Sequence, residues 1–159
     1  MFIGTHFSAP VILAGGINLV TLLHTRERVF SNGALMAGGI CGILPDLLNP
    51  HLRLTARLTS WTHTLWFLAA CFSVIAFLWY RYPQFNIRVG IMCGAAVGLH
   101  LLGDALSGGI ALLYPFSDLR VGKYWISYRI WFQLDLVTVG GMIGITLLGI
   151  WIERARAAF

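Results

Sequence analysis

Five long apolar runs, separated by short polar or glycine- and proline-containing breaks, set the first expectation for this chain. They cover residues 7–23, 29–48, 64–80, 87–106 and 130–152. At about 1.5 Å per residue, each is long enough, or nearly so, to cross a hydrocarbon core of about 30 Å as a helix. The third is the most hydrophobic, and the second, SNGALMAGGICGILPDLL, is rich in small residues. Pro83 marks the turn between the third and fourth. Between the fourth and fifth, SGGIALLYPFSDLRVGKYWISY holds an apolar stretch that Gly108, Gly109 and Pro115 break. It is too short to span, which predicts a re-entrant or interfacial segment. The pattern predicts an all-α membrane protein with about five transmembrane helices, forming one integral membrane domain over residues 1–159.

Composition strengthens that reading. Of 159 residues, 58% are apolar and 11% charged. A soluble globular domain has roughly 45–50% and about 25%, so this chain has too few polar side chains to coat a particle in water. The net charge of +5 and a pI near 9.6 raise the question of nucleic acid. The basic residues answer it by their placement: they fall in small groups between apolar runs, as juxtamembrane anchors do, and form no polybasic stripe. Headgroup contacts are therefore expected, and no nucleic-acid partner. Cys41, Cys71 and Cys93 lie inside apolar runs without C-x-x-C spacing, and read as small core residues. The N-terminal stretch has no charged n-region and reads as a retained first helix. Four Gly-Gly pairs point to close helix packing and permit an oligomer.

Ionisable residues at bilayer depth need a reason, because each costs about 2.5–3.5 kcal/mol on insertion scales. His6, Asp46, His63, His100, Asp104 and Asp135 all lie in or at the margin of an apolar run. Counting passages, His6 opens the first helix, Asp46 closes the second and His63 opens the third. His100 and Asp104 lie late in the fourth, and Asp135 about one turn into the fifth. All six therefore fall on one membrane face, whereas His24 falls on the other. His100 and Asp104, four residues apart, leave the same side of a helix. An imidazole and a carboxylate so placed form a two-ligand edge for a cation such as Zn²⁺, which takes nitrogen and oxygen donors.

Taken singly, each residue also has a structural reading. His100 and Asp104 form a buried ion pair, His63 sits in an aromatic belt beside Trp61 and Trp66, and Asp46 caps a turn after Pro45. His6 faces solvent near the terminus, Asp135 pairs with Arg129, and His51 is a loop residue or a spare ligand. The constellation is stronger than its members.

THFSAP (residues 5–10), GILPD (42–46), THT (62–64) and HLLGDALSGG followed by YPFSD (100–118) resemble the membrane-bound metal-dependent hydrolase family of bacterial and archaeal inner-membrane proteins. The resemblance runs in order from His6 to Asp118, with a weaker echo at Asp135. It implies a helical fold in the inner membrane and a metal-dependent hydrolytic activity. It also implies His6, Asp46, His63, His100 and Asp104 as metal residues. Two departures stand out: Leu48 and Asn49 replace the acidic residue and histidine of the family's P-D-x-D-H, and Leu58 and Thr59 replace its H-R before T-H-S. His51 and Arg57 are the nearest residues of matching chemistry.

The expected activity is hydrolysis assisted by a divalent metal, Zn²⁺ as one or two ions, with Asp46 or Asp135 as general base. Arg53, Arg57, Arg120, Lys123 and Arg129 fall on the same face and are candidates to hold a phosphate. A site at interfacial depth favours an amphiphile, so a phosphoester of a lipid or lipid-linked substrate leads over a lipid ester or amide. An ion or proton transporter is the competing function, though no inverted repeat is visible. A non-catalytic assembly protein using the same His and Asp residues is the third. Lys and Arg divide five to the site face and six to the other, leaning towards a site that opens outward.

Overall fold

The computed structural model describes residues 3–50, 54–123 and 125–157. Five α-helices carry the fold: α1 Ile3–Thr25, α2 Asn32–Leu48, α3 Leu65–Arg81, α4 Ile87–Leu106 and α5 Tyr128–Ala157. Two short 3-10 segments, Leu54–Thr59 and Trp61–His63, link α2 to α3. Polar residues at the breaks start three of the helices. Ser31 accepts from the Ala34 N–H, Thr64 from Phe67 and Asn86 from Arg88, at 3.2, 3.3 and 3.0 Å, each satisfying a backbone donor that an N-terminus leaves open.

Helix α1 is central. It packs against α5 on one side and against α2 and α4 on the other, and α3 rests on the outside of α4. Glycines allow the close contacts. Gly38 faces Met92, Gly39 faces the Phe7 ring, and Gly42 abuts the backbone carbonyl of His6. Pro10 leaves that carbonyl without its usual i+4 donor. Asn18 ties α1 to the chain entering α2, its side-chain amide pairing with both the N–H and the carbonyl of Phe30 at 2.8 Å.

Three helices, α1, α4 and α5, are long and apolar enough to cross a membrane. The other two of the five expected crossings, α2 and α3, have 17 residues each, about 25 Å of helix. Helix α5 begins earlier and ends later than the apolar run suggested. It is also the least covered, with 6% of its apolar window buried against 44% for α1 and 50% for α4.

Among its described residues, the segment between α4 and α5 contains no helix and folds back over the C-terminal end of α4. Ile110 and Val121 exchange backbone hydrogen bonds at 3.0 and 2.9 Å, the Gly109 N–H reaches the Asp104 carbonyl, and the Leu65 N–H reaches Leu112. Gly122 has φ +99° and lies against the Ala105 carbonyl, where a side chain would neither fit nor adopt that backbone. The Tyr114–Pro115 peptide is cis.

Two arginines expected among lipid headgroups have protein partners. Arg28 pairs with Glu153 of α5, and Arg156 reaches the Leu22 carbonyl of α1. Both contacts clamp α5 to the end of α1 farthest from the residues described next.

Candidate metal centre

Three elements converge at the site. The last turn of α2 supplies Asp46, the second 3-10 segment His63, and the last two turns of α4 supply His100 and Asp104. One donor atom from each of these four residues lies within 4.8 Å of the other three. His63 Nε2 is 3.2 Å from His100 Nε2, 3.2 Å from Asp46 Oδ1 and 3.3 Å from Asp104 Oδ2. His100 Nε2 is 3.7 Å from Asp46 Oδ1 and 3.5 Å from Asp104 Oδ2. Donors on a tetrahedral Zn²⁺, with bonds of 2.0–2.2 Å, are separated by about 3.3–3.5 Å. The five separations given, 3.2–3.7 Å, are close to that spacing. Two imidazoles and two carboxylates are also a donor set that suits zinc.

The imidazoles are oriented from behind. His100 Nδ1 lies 2.7 Å from the Gly42 carbonyl, which can only accept, so Nδ1 carries the proton and Nε2 a lone pair. The Thr62 hydroxyl donates to the Pro45 carbonyl at 2.9 Å, leaving its oxygen to accept from His63 Nδ1 at 3.1 Å. Ser60 Oγ is a second neighbour of that nitrogen, also at 3.1 Å, and is itself reached by Asn49 Nδ2 at 2.7 Å. Both Nε2 lone pairs thus face the centre. Asn49, which departs from the hydrolase pattern, serves here to hold Ser60 behind His63.

Burial is uneven. The side chains of His63 and His100 are fully buried and Asp104 is 3% exposed, but Asp46 is 20% exposed. Asp46 is thus the open edge of the centre. Burial alone would lower the pKa of His63; hydrogen bonds to Asp104 and Asp46 outweigh it and hold the imidazole above its usual value of 6.5.

His6 lies at the rim rather than among the four. Its ring stacks on His100 at 3.7 Å between centroids, and Nε2 is 3.4 Å from Asp104 Oδ1. It is buried, with no hydrogen bond to either nitrogen. Asp135 is directed elsewhere: its Oδ1 accepts from both the backbone N–H and the hydroxyl of Thr5, 2.7 Å to the latter. The general-base role read for Asp135 thus has no geometric support, because the carboxylate is occupied at the N-terminal turn of α1. It lies two turns into α5, not one.

Arg57 differs most from expectation. Instead of standing free for a phosphate it is 2% exposed, with Nη1 2.9 Å from Asp104 Oδ1 and 3.1 Å from Ser107 Oγ, and Nη2 2.7 Å from the Ser107 carbonyl. Arg120, Lys123 and Arg129 are exposed on the α4–α5 connection and the start of α5. His51 and Arg53 lie outside the described residues. His24 is exposed at the far end of α1, bonded to its own helix at Val20. Gly42, Ser60 and Ser107 also position the centre; Gly42 and Ser107 lie within GILPD and HLLGDALSGG, and Ser60 opens the polar run SWTHT, but nothing in the sequence assigns them that role.

No curated protein and no solved structure matches the chain. A family model does, along its whole length. With its apolar helices and buried His/Asp centre, the chain belongs to the YdjM inner membrane protein family, whose model covers residues 1–159.

Proposed function

We propose that this inner membrane protein is a metal-dependent hydrolase acting on a phosphoester of a lipid or lipid-linked substrate. One observation carries the reading: two imidazole lone pairs and two carboxylates face a common point at the spacing a tetrahedral cation requires. A divalent ion held there, Zn²⁺ by its donor set, would supply Lewis acidity, bringing the pKa of water to about 7 and polarising a phosphoryl oxygen.

The residues of the chain divide the remaining work. His63, His100 and Asp104 are buried and would hold the ion with a fourth position open to water; His6, at the rim, could serve as a further donor. Asp46, the partly exposed member, would stand beside that water and take its proton as it attacks phosphorus, in place of a bond to the ion. It returns that proton to the departing alcohol as the phosphorus–oxygen bond breaks.

An amphiphile suits the surroundings. Trp61, Trp66, Phe116 and Trp125 are more than half exposed near this end of the helices, as aromatic side chains are at a membrane interface. Exposed Arg120, Lys123 and Arg129 supply cations for an anionic headgroup.

The test is metal analysis of the detergent-purified protein beside His100→Ala and Asp104→Ala, with phosphate or headgroup release from lipid substrates as the second readout. Bound divalent metal in the wild type and its loss in both variants support the reading. A folded wild type that takes up no metal removes it. Metal without hydrolysis of any lipid phosphoester leaves a structural or transport site instead.

A further inference from the structure

Arg57 reaches the site from the 3-10 segment after α2, yet touches only one side of it. Its Nη1 lies on Asp104 Oδ1, while Asp104 Oδ2 is the oxygen turned to His63 and His100. The guanidinium is itself fixed by Ser107, the residue that ends α4, through both the hydroxyl and the carbonyl. Asp104 and Ser107 are one helical turn apart, so Arg57 spans the carboxylate and the end of its own helix as a brace. All of this is buried, where a guanidinium keeps its charge and its planar fork keeps its direction.

We propose that Arg57 is a positioning residue that makes Asp104 a one-oxygen metal ligand. By occupying Oδ1 it prevents the carboxylate from turning both oxygens to the cation, and leaves Oδ2 alone in the cage with the two imidazoles. It also draws charge away from Asp104, so the carboxylate would donate less to a bound cation than an unshared one. Asp104 and Ser107 take up both Nη atoms, and only Nε is left without a partner. This inference rests on the metal-binding reading above and concerns a residue that lies outside the motifs carrying the hydrolase resemblance.

Cobalt(II) in place of the native ion separates the possibilities, because its visible absorption bands report coordination number. Full-length wild type, Arg57→Met and Arg57→Lys are loaded with Co²⁺ in detergent, and Zn²⁺ affinity is measured by chelator competition. In Arg57→Met the bands are expected to weaken and shift as Asp104 becomes two-oxygen, and Zn²⁺ affinity to fall about 10–100-fold. Arg57→Lys, which keeps a charged donor for Oδ1 but not the fork to Ser107, is expected to fall between wild type and Arg57→Met in bands and affinity. If Arg57→Met does not fold, Arg57→Gln carries the same expectation without the charge. Wild-type bands and affinity in the Met or Gln variant overturn the inference while leaving the metal centre standing. A Lys variant as impaired as Met also overturns it, since the effect is then packing. Absence of Co²⁺ bands in the wild type removes the metal centre itself.

Discussion

His63 and His100 point their Nε2 atoms at each other across 3.2 Å, while the Nδ1 of each is held from behind by oxygen acceptors. Two lone pairs so close repel unless something positive lies between or beside them. A proton or a metal ion meets that need, and Asp46 and Asp104 complete the electrostatics from either side. The hydrogen-bond pattern thus leaves a centre that could hold a cation.

Proton and metal compete for it. His63 is held above its ordinary pKa in the metal-free protein, after its carboxylate neighbours outweigh burial. A raised folded-state pKa gives stability that is fully present below the unfolded value of about 6.5 and lost as pH rises through the folded value. The metal-free protein should therefore lose thermal stability as pH climbs above about 6.5. Metal binding requires the neutral ring, so divalent affinity should fall on acidification, by about tenfold per pH unit for one displaced proton. Thermal unfolding in detergent across pH, with and without Zn²⁺ or a chelator, checks both slopes. Parallel curves in the two conditions would contradict the competition.

Asp46 and His100 should fail differently. Asp46→Asn keeps an oxygen donor at the accessible edge but no longer accepts a proton. Hydrolysis should drop about 10²–10⁴-fold, the usual contribution of a general base, while metal content stays near that of the wild type. His100→Ala removes a buried donor and should lose both. Measuring metal stoichiometry and turnover on the same preparations tells them apart. An Asp46→Asn protein with unchanged turnover would remove the base assignment.

Much of this centre was legible because membrane burial penalises charge. His6, Asp46, His63, His100 and Asp104 stood out against apolar runs, and counting passages brought them to one end, where they meet. Helix length was less legible. The run at 64–80 matches α3 to within one residue, but the run from 29 overshot the start of α2, because Ser31 caps the helix at Asn32. The roles of Asp135 and Arg57 were also hidden, since charge and position reveal that a partner is needed, not which atom supplies it. Asp135 found a backbone N–H across two helices, and Arg57 found Asp104 from 47 positions away in the chain. Asn18 gave no sign at all of its double bond to Phe30.

The contact between Asp135 and Thr5 gives a third expectation. One carboxylate oxygen serves both donors of Thr5, and Gly4 leaves room for it at the start of α1. Asp135→Ala should cost about 1–3 kcal/mol in stability by leaving those donors open. Asp135→Asn, which retains Oδ1 as an acceptor, should cost less. Both should bind metal in full stoichiometry once folded, since His63, His100 and Asp104 are untouched. Loss of metal from a folded Asp135→Asn protein would return this residue to the centre.

Two glycines offer a paired control on how the bundle supports the site. A Cβ at Gly42 would collide with the His6 carbonyl and crowd Pro10, whereas one at Gly98 would meet nothing within 4 Å. Gly42→Ala should therefore force α1 and α2 apart at a cost of about 1–3 kcal/mol. It should also weaken metal binding, because the Gly42 carbonyl that sets the His100 tautomer moves with the backbone. Gly98→Ala should be neutral or add about 0.5–1 kcal/mol through helix propensity alone. Thermal unfolding and Zn²⁺ affinity of the two variants, measured side by side, read both effects. Equal behaviour of the pair would mean that close approach of α1 and α2 does not position the centre.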